Sequence, residues 1–182
     1  MFAFIALAAA ACAVNTWLFL SHPFISRMRD ETSGDKYGAL FSRRRIIAGE
    51  KEKRLYMTRY YLLPTNQRLN VYLHVWYSSD DYEKALHNHP WASLSLLFRG
   101  VMEEHLWGGK IGWGKKRRLV APVWTRREAN TYHAIELPPQ KTRPLSLFIT
   151  GRVVQSWKFK CLKDGTEHPW RDYQRRDSAL CD

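Results

Sequence analysis

The stretch from Lys84 to His105 constrains the fold of this 182-residue chain more than any other. It contains two histidines, His87 and His89, separated by one residue, and it continues as an alternating run that ends at Gly100. Side chains two positions apart in a β-strand point to the same face of the sheet. The two histidines are therefore predicted to project side by side, which is how a sheet presents two imidazoles to one metal ion.

The chain beyond residue 54 indicates short strands joined by turns. Residues 55–63 are rich in aromatic and apolar side chains and stop at a Pro-Thr-Asn turn, and residues 69–78 alternate between two faces. Similar runs recur further along the chain, at 101–107, 119–124, 132–137, 144–150 and 153–159. Many short strands with regularly spaced turns predict a mainly β protein, either a sandwich or a barrel.

Composition and charge exclude several classes of protein. The chain is 45% hydrophobic and 14% aromatic, so it is not a disordered tail. Its net charge of +12 favours an anionic partner or surface, either nucleic acid or lipid headgroups, but no nucleic-acid-binding motif accompanies this charge. The cysteines, Cys12, Cys161 and Cys181, are too few and odd in number for a disulfide framework, and they favour a reducing compartment. The sequence contains no phosphate-binding loop or dinucleotide-binding motif.

The first twenty residues differ from the rest because they carry no charge. About 20 apolar residues span a bilayer as a helix, so residues 1–20 are predicted to form a transmembrane or membrane-associated helix. No lysine or arginine precedes this run, whereas Arg27 and Arg29 follow it. By the positive-inside rule the protein is then membrane-anchored with its body facing the cytoplasm. A buried or peripheral helix and a cleaved signal peptide are the alternatives.

The following segment, residues 21–54, is interpreted as a linker that leads into the barrel. Its last part, residues 43–54, carries charges of both signs around a few apolar side chains and suits a short surface helix. Residues 55–182 are assigned to the barrel and a C-terminal tail. The basic segment from Lys110 to Arg127 is expected to be a solvated loop, with contact to lipid or nucleic acid as the alternative.

The histidine stretch resembles the first signature of the cupin superfamily, whose members are small double-sheet β-barrels of the jelly-roll type. That signature is a His-x-His pair followed at fixed spacing by a glutamate and then by a glycine. Here the pair is followed by Ser93 in the position of the glutamate and by Gly100 in the position of the glycine. The spacing fits the signature, although the glutamate is missing.

A second cupin signature places a lone histidine after a tight turn. In this chain His133 follows Asn130, which stands in the position of the turn glycine and tolerates a left-handed backbone better than most residues. The fragments HNHPW, LFITGR and PWRDY also resemble those of small uncharacterised bacterial and phage cupin-like proteins. The resemblance covers residues 55–173 and implies a mainly β, cupin-like double-sheet jelly-roll barrel, to which the N-terminal hydrophobic helix is added.

The resemblance implies a metal site inside the barrel, with His87, His89 and His133 as ligands. Three imidazoles suit a divalent ion, for which Fe(II) is the first expectation, while Zn, Ni and Mn are not excluded. The missing glutamate counts against a 2-oxoglutarate oxygenase, which needs a carboxylate ligand. The three-histidine pattern is instead similar to that of the thiol dioxygenases of the cupin fold. Without a metal, the histidines would be a satisfied polar cluster in an ordinary barrel.

Candidate catalytic residues come from the strands beside the histidines. Glu103 is expected to reach back toward them from the returning strand, whereas Glu104 is expected to point the other way. Arg99 shares the parity of the two paired histidines and is expected to meet an anionic substrate, and the Arg126–Arg127 pair offers a second contact. His74 is expected to be a structural strand residue that donates to a backbone carbonyl. The tryptophans are interpreted first as core and second as a wall for stacking substrate, namely Trp76, Trp91, Trp124 and Trp157.

Two functions from different classes are consistent with these features. The first is a metal-dependent enzyme, a mononuclear iron oxygenase resembling the dioxygenases, that acts on a small anionic substrate. The second is a non-catalytic, membrane-tethered binding or scaffold module that uses the cupin barrel as a frame. The partners considered are a small-molecule substrate, the membrane through the N-terminal helix and, left open, a second copy of the chain in a homodimer.

Overall fold

The computed structural model describes residues 29–30, 42–48, 54–108, 114–176 and 180–181. Within these ranges the chain forms thirteen strands and one short helix. The strands are β1 (Arg29–Asp30), β2 (Ser42–Ala48), β3 (Arg54–Tyr61), β4 (Asn70–Trp76), β5 (Ala85–His87), β6 (Ser93–Arg99), β7 (Val101–Leu106), β8 (Lys115–Val120), β9 (Val123–Arg127), β10 (His133–Glu136), β11 (Leu145–Thr150), β12 (Lys158–Cys161) and β13 (Glu167–Pro169). The helix is α1 (Trp170–Arg176).

The strands form two sheets. One has seven strands in the order β1-β2-β3-β4-β11-β6-β9, and the other has six in the order β13-β12-β5-β10-β7-β8. The pairings between described strands are antiparallel except that of β1 with β2. Sequence neighbours such as β4 and β5 lie in different sheets, so the chain repeatedly crosses between them. This mainly β, double-sheet architecture is consistent with the predicted cupin jelly roll.

The alternation in β4 decides which side chains line the barrel. One face carries Asn70, Tyr72, His74 and Trp76, and the ring of Trp76 packs against an apolar cluster drawn from both sheets. That cluster contains Leu97, Met102, Leu119 and Ile135. The inner face of β4 is therefore its polar and aromatic face, and the aliphatic residues of this strand lie on the outer side of the seven-stranded sheet.

The apolar cluster fills one end of the barrel and places the histidines at the next level. Ile135 belongs to the cluster, and His133 lies two residues earlier on β10, on the same face of the strand. The turn between β6 and β7 closes this apolar end at Gly100, as predicted. Gly100 has a φ of 91°, and a Cβ there would lie 2.9 Å from the Cα of Pro144, so only glycine fits without strain.

Several expectations about the flanking segments are changed by the structure. Residues 42–48 form β2, which pairs with β3 in the seven-stranded sheet, so the predicted surface helix at 43–54 is wrong over these positions. Pairing with the aromatic-rich strand β3 favours a strand in this segment more than its mixed charges favour a surface helix. The predicted basic loop is largely two strands, β8 and β9, which lie at the edges of different sheets.

The cysteine expectation is also wrong, because Cys161 and Cys181 form a disulfide. Their Cα atoms are 5.1 Å apart, and the bridge connects β12 to the residues beyond α1. Tyr173 of α1 packs in the same apolar cluster as this disulfide. Two cysteines that are twenty residues apart can therefore pair without belonging to a larger disulfide framework.

The predicted N-terminal helix, residues 1–20, lies outside the described residues. Among the residues that the structure does describe, no helix is both long enough and apolar enough to cross a bilayer. The membrane anchor and the cytoplasmic orientation of the barrel therefore stay predictions.

Candidate metal centre

The paired histidines are positioned by β5 and by the residues just after it. β5 ends at His87, so His89 lies beyond the strand rather than within it. Asn88 connects this segment to β12, because its N–H donates to the carbonyl of Lys158 and its side-chain oxygen accepts from the N–H of Lys158. The side-chain amide of Gln155 donates to the carbonyl of His89 at 2.9 Å. These bonds keep both imidazoles pointing into the barrel, as the pattern predicted.

His133 opens β10 and reaches the site through strand register. It lies directly opposite His87 on one side and opposite Leu106 of β7 on the other. Directly opposed residues on antiparallel strands have Cβ atoms about 5 Å apart and share a face. The ring centroids of His87 and His133 are accordingly 4.8 Å apart.

The three predicted ligands converge. His87, His89 and His133 each offer one ring nitrogen, and these atoms all lie within 4.8 Å of one another. The Nε2 atoms of His89 and His133 are 3.0 Å apart. Two imidazole nitrogens that bind one ion at about 2.1 Å and at a right angle are also about 3 Å apart. The three-histidine cluster therefore fits metal binding.

Burial keeps the three imidazoles neutral. Burial lowers the pKa of His87 to about 4, and burial also lowers the pKa of His89 well below its ordinary value, with the charges of the neighbouring histidines adding to the effect. The pKa of His133 is lowered by burial, although Glu104 opposes the shift. Neutral imidazole is the form that binds a metal, so a site at neutral pH does not have to displace protons from its ligands. In the absence of a metal, one ring N–H can donate to the facing nitrogen.

Glu104 supports the site from behind His133. Its Oε1 lies 3.1 Å from the Nδ1 of His133, and its side chain is 0% exposed. A carboxylate accepts but does not donate, so this close contact favours the tautomer with the proton on Nδ1, which directs the Nε2 lone pair into the barrel, although the two groups are not aligned as a hydrogen bond. Burial opposes ionisation of Glu104, but His133 and Arg127 outweigh it and hold its pKa well below the ordinary value.

Two arginines neutralise this buried carboxylate. The Nε of Arg127 donates to one oxygen of Glu104, and the Nε of Arg117 donates to the other. Arg127 also donates to Thr125 and is itself buried. The basic segment that seemed a solvated loop thus contributes two of its cations to a buried ion-pair network behind the histidines. The exposed Arg126 pairs instead with Glu128.

The two glutamates of β7 have exchanged the orientations expected of them. Glu103 lies on the outer face of the six-stranded sheet, where it pairs with Lys116, so it does not approach the histidines. Glu104 is the residue that faces inward. The signal for this was available in the sequence, since Met102 and Leu106 share the parity of Glu104 and place it on the apolar face of the strand.

Arg99 also lies away from the histidines. It ends β6, six residues beyond Ser93, which corresponds to about 20 Å of extended strand. Its side chain is exposed, and its Nε donates to the carbonyl of Arg143. The expected contact between Arg99 and a substrate beside the histidines is therefore not compatible with the structure. Ser93, in the position of the cupin glutamate, does lie inside the barrel and is 5% exposed.

Aromatic side chains surround the histidines. The ring of His89 is roughly parallel to those of Trp91 and Trp157, at centroid distances of 6.4 and 6.3 Å. Phe159 packs beside His87, and Phe148 packs beside His89. Two of the four predicted core tryptophans thus line the site. Trp76 packs in the apolar cluster and donates to Ser146, whereas Trp124 is 55% exposed and is not a core residue.

Sequence reasoning missed one further pair inside the barrel. Arg59 of β3 lies opposite His74 of β4, and its Nε donates to the Nε2 of His74 at 2.9 Å. The expectation that His74 donates to a backbone carbonyl is therefore wrong at this nitrogen. The alternation of β4 does place His74 with Tyr72 on one face, but only the sheet order shows that Arg59 joins them on the inner side.

Comparisons with known proteins find similarity only among solved structures. No family model and no curated protein matches the chain. Among solved structures, the chain is similar to DMSP lyases described as RdDddP and RnDddQII, with 18% identity, 63% of each chain covered and a TM-score of 0.46. It is similar to hydroxypropylphosphonic acid epoxidase from S. wedmorenis, with 14% identity, 58% of each chain covered and a TM-score of 0.43.

An RmlC-like cupin from Shewanella frigidimarina NCIMB 400 also resembles the chain, with 13% identity and a TM-score of 0.39; the match covers 60% of this chain and 92% of that one. The chain spans less than two thirds of the length of the lyase and epoxidase chains it matches. The structures to which it is similar include proteins described as cupins, as the histidine motifs predicted. A likeness at this level of identity concerns the fold alone.

Proposed function

We propose that this protein binds one divalent metal ion, Fe(II) in preference to Zn, Ni or Mn, and uses it to oxidise a small anionic substrate inside the barrel. The observation that carries the proposal is the convergence of three neutral imidazoles within 4.8 Å, two of them buried and that of His89 partly buried, with a buried carboxylate against His133. A cluster of neutral histidines does not by itself require an ionised carboxylate behind it. The ionised Glu104 is explained if it orients His133 as a metal ligand.

When bound, the ion supplies a redox-active Lewis acid with coordination positions open to small molecules. The chain itself orients and shields the site. Glu104 fixes the tautomer of His133, while Arg127 and Arg117 keep Glu104 ionised and in place. The aromatic rings around the histidines limit the access of bulk water. Three neutral ligands leave the positive charge of an ion uncancelled, which favours an anionic or chelating substrate.

The membrane-tethered module remains a weaker alternative. Its two distinguishing features are the N-terminal helix, which lies outside the described residues, and the basic segment from Lys110 to Arg127, most of which forms β8 and β9. The basic side chains of β8 that the structure does describe are partly engaged by acidic residues, since Lys116 pairs with Glu103 and Arg117 with Glu104. No contact among the described residues favours a scaffold role over a metal site.

Metal analysis of protein purified without added metal tests the binding step. We expect about one equivalent of metal per chain in the wild type and a large loss in His89→Ala and His133→Ala. His105→Ala is the matched control, because His105 is equally buried but lies on the outer face of the same sheet, hydrogen-bonded to Glu136. Retention of metal by His89→Ala, or equal loss in His105→Ala, would contradict the site.

Oxygen consumption tests the chemistry. Iron-loaded protein should consume oxygen in the presence of a small thiol or an enolisable acid, and His87→Ala should abolish that consumption. If iron-loaded protein consumes no oxygen with thiols, amino acids or keto acids, the metal site stands but the oxygenase proposal is wrong.

A further inference from the structure

Arg59 projects into the barrel from the seven-stranded sheet. It is half-buried, its Nε donates to the Nε2 of His74 at 2.9 Å, and its guanidinium carbon lies 4.7 Å from the centroid of the Tyr72 ring. His74 is buried and its pKa is lowered well below the ordinary value, first by burial and then by the charge of Arg59. The arginine is therefore held by a neutral imidazole and by an aromatic face.

The charge of Arg59 has no counter-ion among the described residues. No carboxylate of these residues lies within ion-pair distance of Arg59, and neither of its terminal amino groups has a hydrogen-bond partner there. Removing a cation partly from water is costly unless an anion compensates it. A guanidinium with its bidentate edge unused, inside a barrel, is suited to bind an anion that comes from outside the chain.

A series of contacts connects Arg59 to the histidines. Arg59 is hydrogen-bonded to His74, the ring of Phe148 packs against His74 with centroids 5.4 Å apart, and the same ring lies 6.1 Å from that of His89. A molecule of a few atoms placed over Phe148 can therefore contact both Arg59 and a group at His89.

Other polar groups of the barrel are also without partners. The Oγ of Ser93, the Nδ1 of His74 and the indole N–H groups of Trp91 and Trp157 are buried and have no hydrogen-bond partner among the described residues. Buried polar groups are nearly always hydrogen-bonded, so these are groups that a bound polar molecule or water would satisfy. Trp91 and Trp157 flank His89 itself.

We propose that Arg59 binds the carboxylate of a small substrate whose apolar body lies over Phe148 and whose other end reaches the three histidines. This proposal rests on the proposed function, and it names the substrate class that the same site takes. A carboxylate matches the two terminal nitrogens of a guanidinium in bidentate geometry, and the aromatic rings on either side favour an apolar or aromatic body. Arg59 thus takes the role that the sequence suggested for Arg99.

The probe is benzoate, with benzamide as its neutral isostere, measured by calorimetry and by quenching of tryptophan fluorescence. The protein is used as purified and after treatment with a chelator. Benzoate should bind wild-type protein at least tenfold more tightly than benzamide does. Arg59→Gln should weaken benzoate binding by about tenfold or more while leaving benzamide unchanged, as expected for the loss of a charge-assisted pair. Arg59→Lys keeps the charge without the bidentate edge and should be intermediate.

Arg99→Gln is the matched control, because it removes an exposed arginine at the end of β6, and it should bind benzoate like the wild type. Equal benzoate affinity in wild type and Arg59→Gln, or no measurable benzoate binding to the wild type, would overturn the proposal. Tighter Arg59-dependent binding of methylphosphonate than of benzoate would overturn the assignment to carboxylates. These results are separable from metal content: Arg59-dependent benzoate binding to a protein that takes up no added metal would support the anion site and contradict the metal-dependent function, whereas the same binding after chelator treatment supports the anion site alone.

Discussion

Two arginines enter the barrel from opposite parts of the seven-stranded sheet, and their surroundings differ. Arg127 of β9 is 6% exposed and meets the carboxylate of Glu104 and the hydroxyl of Thr125. Arg59 of β3 meets a neutral histidine and an aromatic face, with no carboxylate among the described residues. The charge of Arg127 is therefore compensated within the protein, whereas the charge of Arg59 has no compensating carboxylate among the described residues. The comparison suggests that Arg127 serves the fold and the ligand set, and that Arg59 serves a molecule from outside.

The largest expected difference is in stability. Arg127→Met leaves the fully buried carboxylate of Glu104 with only Arg117, so we expect the free energy of unfolding to fall by about 3 kcal/mol. Arg59→Met removes one hydrogen bond to a neutral partner and should cost about 1 kcal/mol or less. Urea denaturation of the two variants measures both values. Equal losses would remove the distinction between the two arginines.

The carboxylates behind and beside the site give the next effect. Glu104→Gln keeps an acceptor for His133 but removes the charge, and we expect metal affinity to fall by roughly 10- to 100-fold. Glu103→Gln, on the outer face of the same strand, should leave metal affinity unchanged. Competition against a chromophoric chelator measures both affinities. A comparable loss in Glu103→Gln would mean that the effect is a general weakening of β7.

The imidazole beside Arg59 provides a smaller, pH-dependent effect. The pKa of His74 in the folded protein is below its ordinary value of 6.5, so the unfolded chain takes up this proton first as the pH falls. The stabilising contribution of neutral His74 is then complete above about pH 6.5 and declines below it. His74→Gln should reduce the slope of unfolding free energy against pH below 6.5 by up to about 1.4 kcal/mol per pH unit. An unchanged slope in urea denaturations at several pH values would show that His74 is protonated in the fold.

The smallest expected effect is that of Arg99→Gln. The side chain is exposed and donates one hydrogen bond to a backbone carbonyl, so stability should change by less than about 0.5 kcal/mol. Metal content should match that of the wild type. A loss of metal, or a fall of several kcal/mol in the free energy of unfolding, would show that the apolar end of the barrel is energetically coupled to the histidines.

Much of the fold could be predicted from the sequence because its signals are local. Strand alternation and the glycine turn after Arg99 indicated the barrel, and the spacing of His87, His89 and His133 indicated the cluster. The helix expected at residues 43–54 failed because β2 owes its conformation to pairing with β3, which is not a local property. Local patterns therefore identified the ligands but not every strand.

The partners of the ligands were harder to predict, because they depend on parity and sheet order. Glu104 could have been assigned to the inner face from the apolar parity of Met102, but its two arginine partners come from strands that only the folded sheets bring together. Nothing in the sequence indicated a role for Arg59, because an arginine in an aromatic-rich strand is compatible with either face of the sheet. Its significance comes from what is missing around it, and a sequence does not show that.

The bridge between Cys161 and Cys181 acts on a state of the chain that the folded structure does not display. It closes a loop of about twenty residues, and in the chain-entropy account such a closure removes on the order of 3 kcal/mol of freedom from the unfolded ensemble. Tyr173 lies within this loop and stacks on Phe159, whose ring in turn packs beside His87. In the oxidised chain, these segments stay at a high effective concentration even when unfolded. The aromatic side chains beside the histidine site therefore come from segments that the disulfide keeps close together even in the unfolded chain.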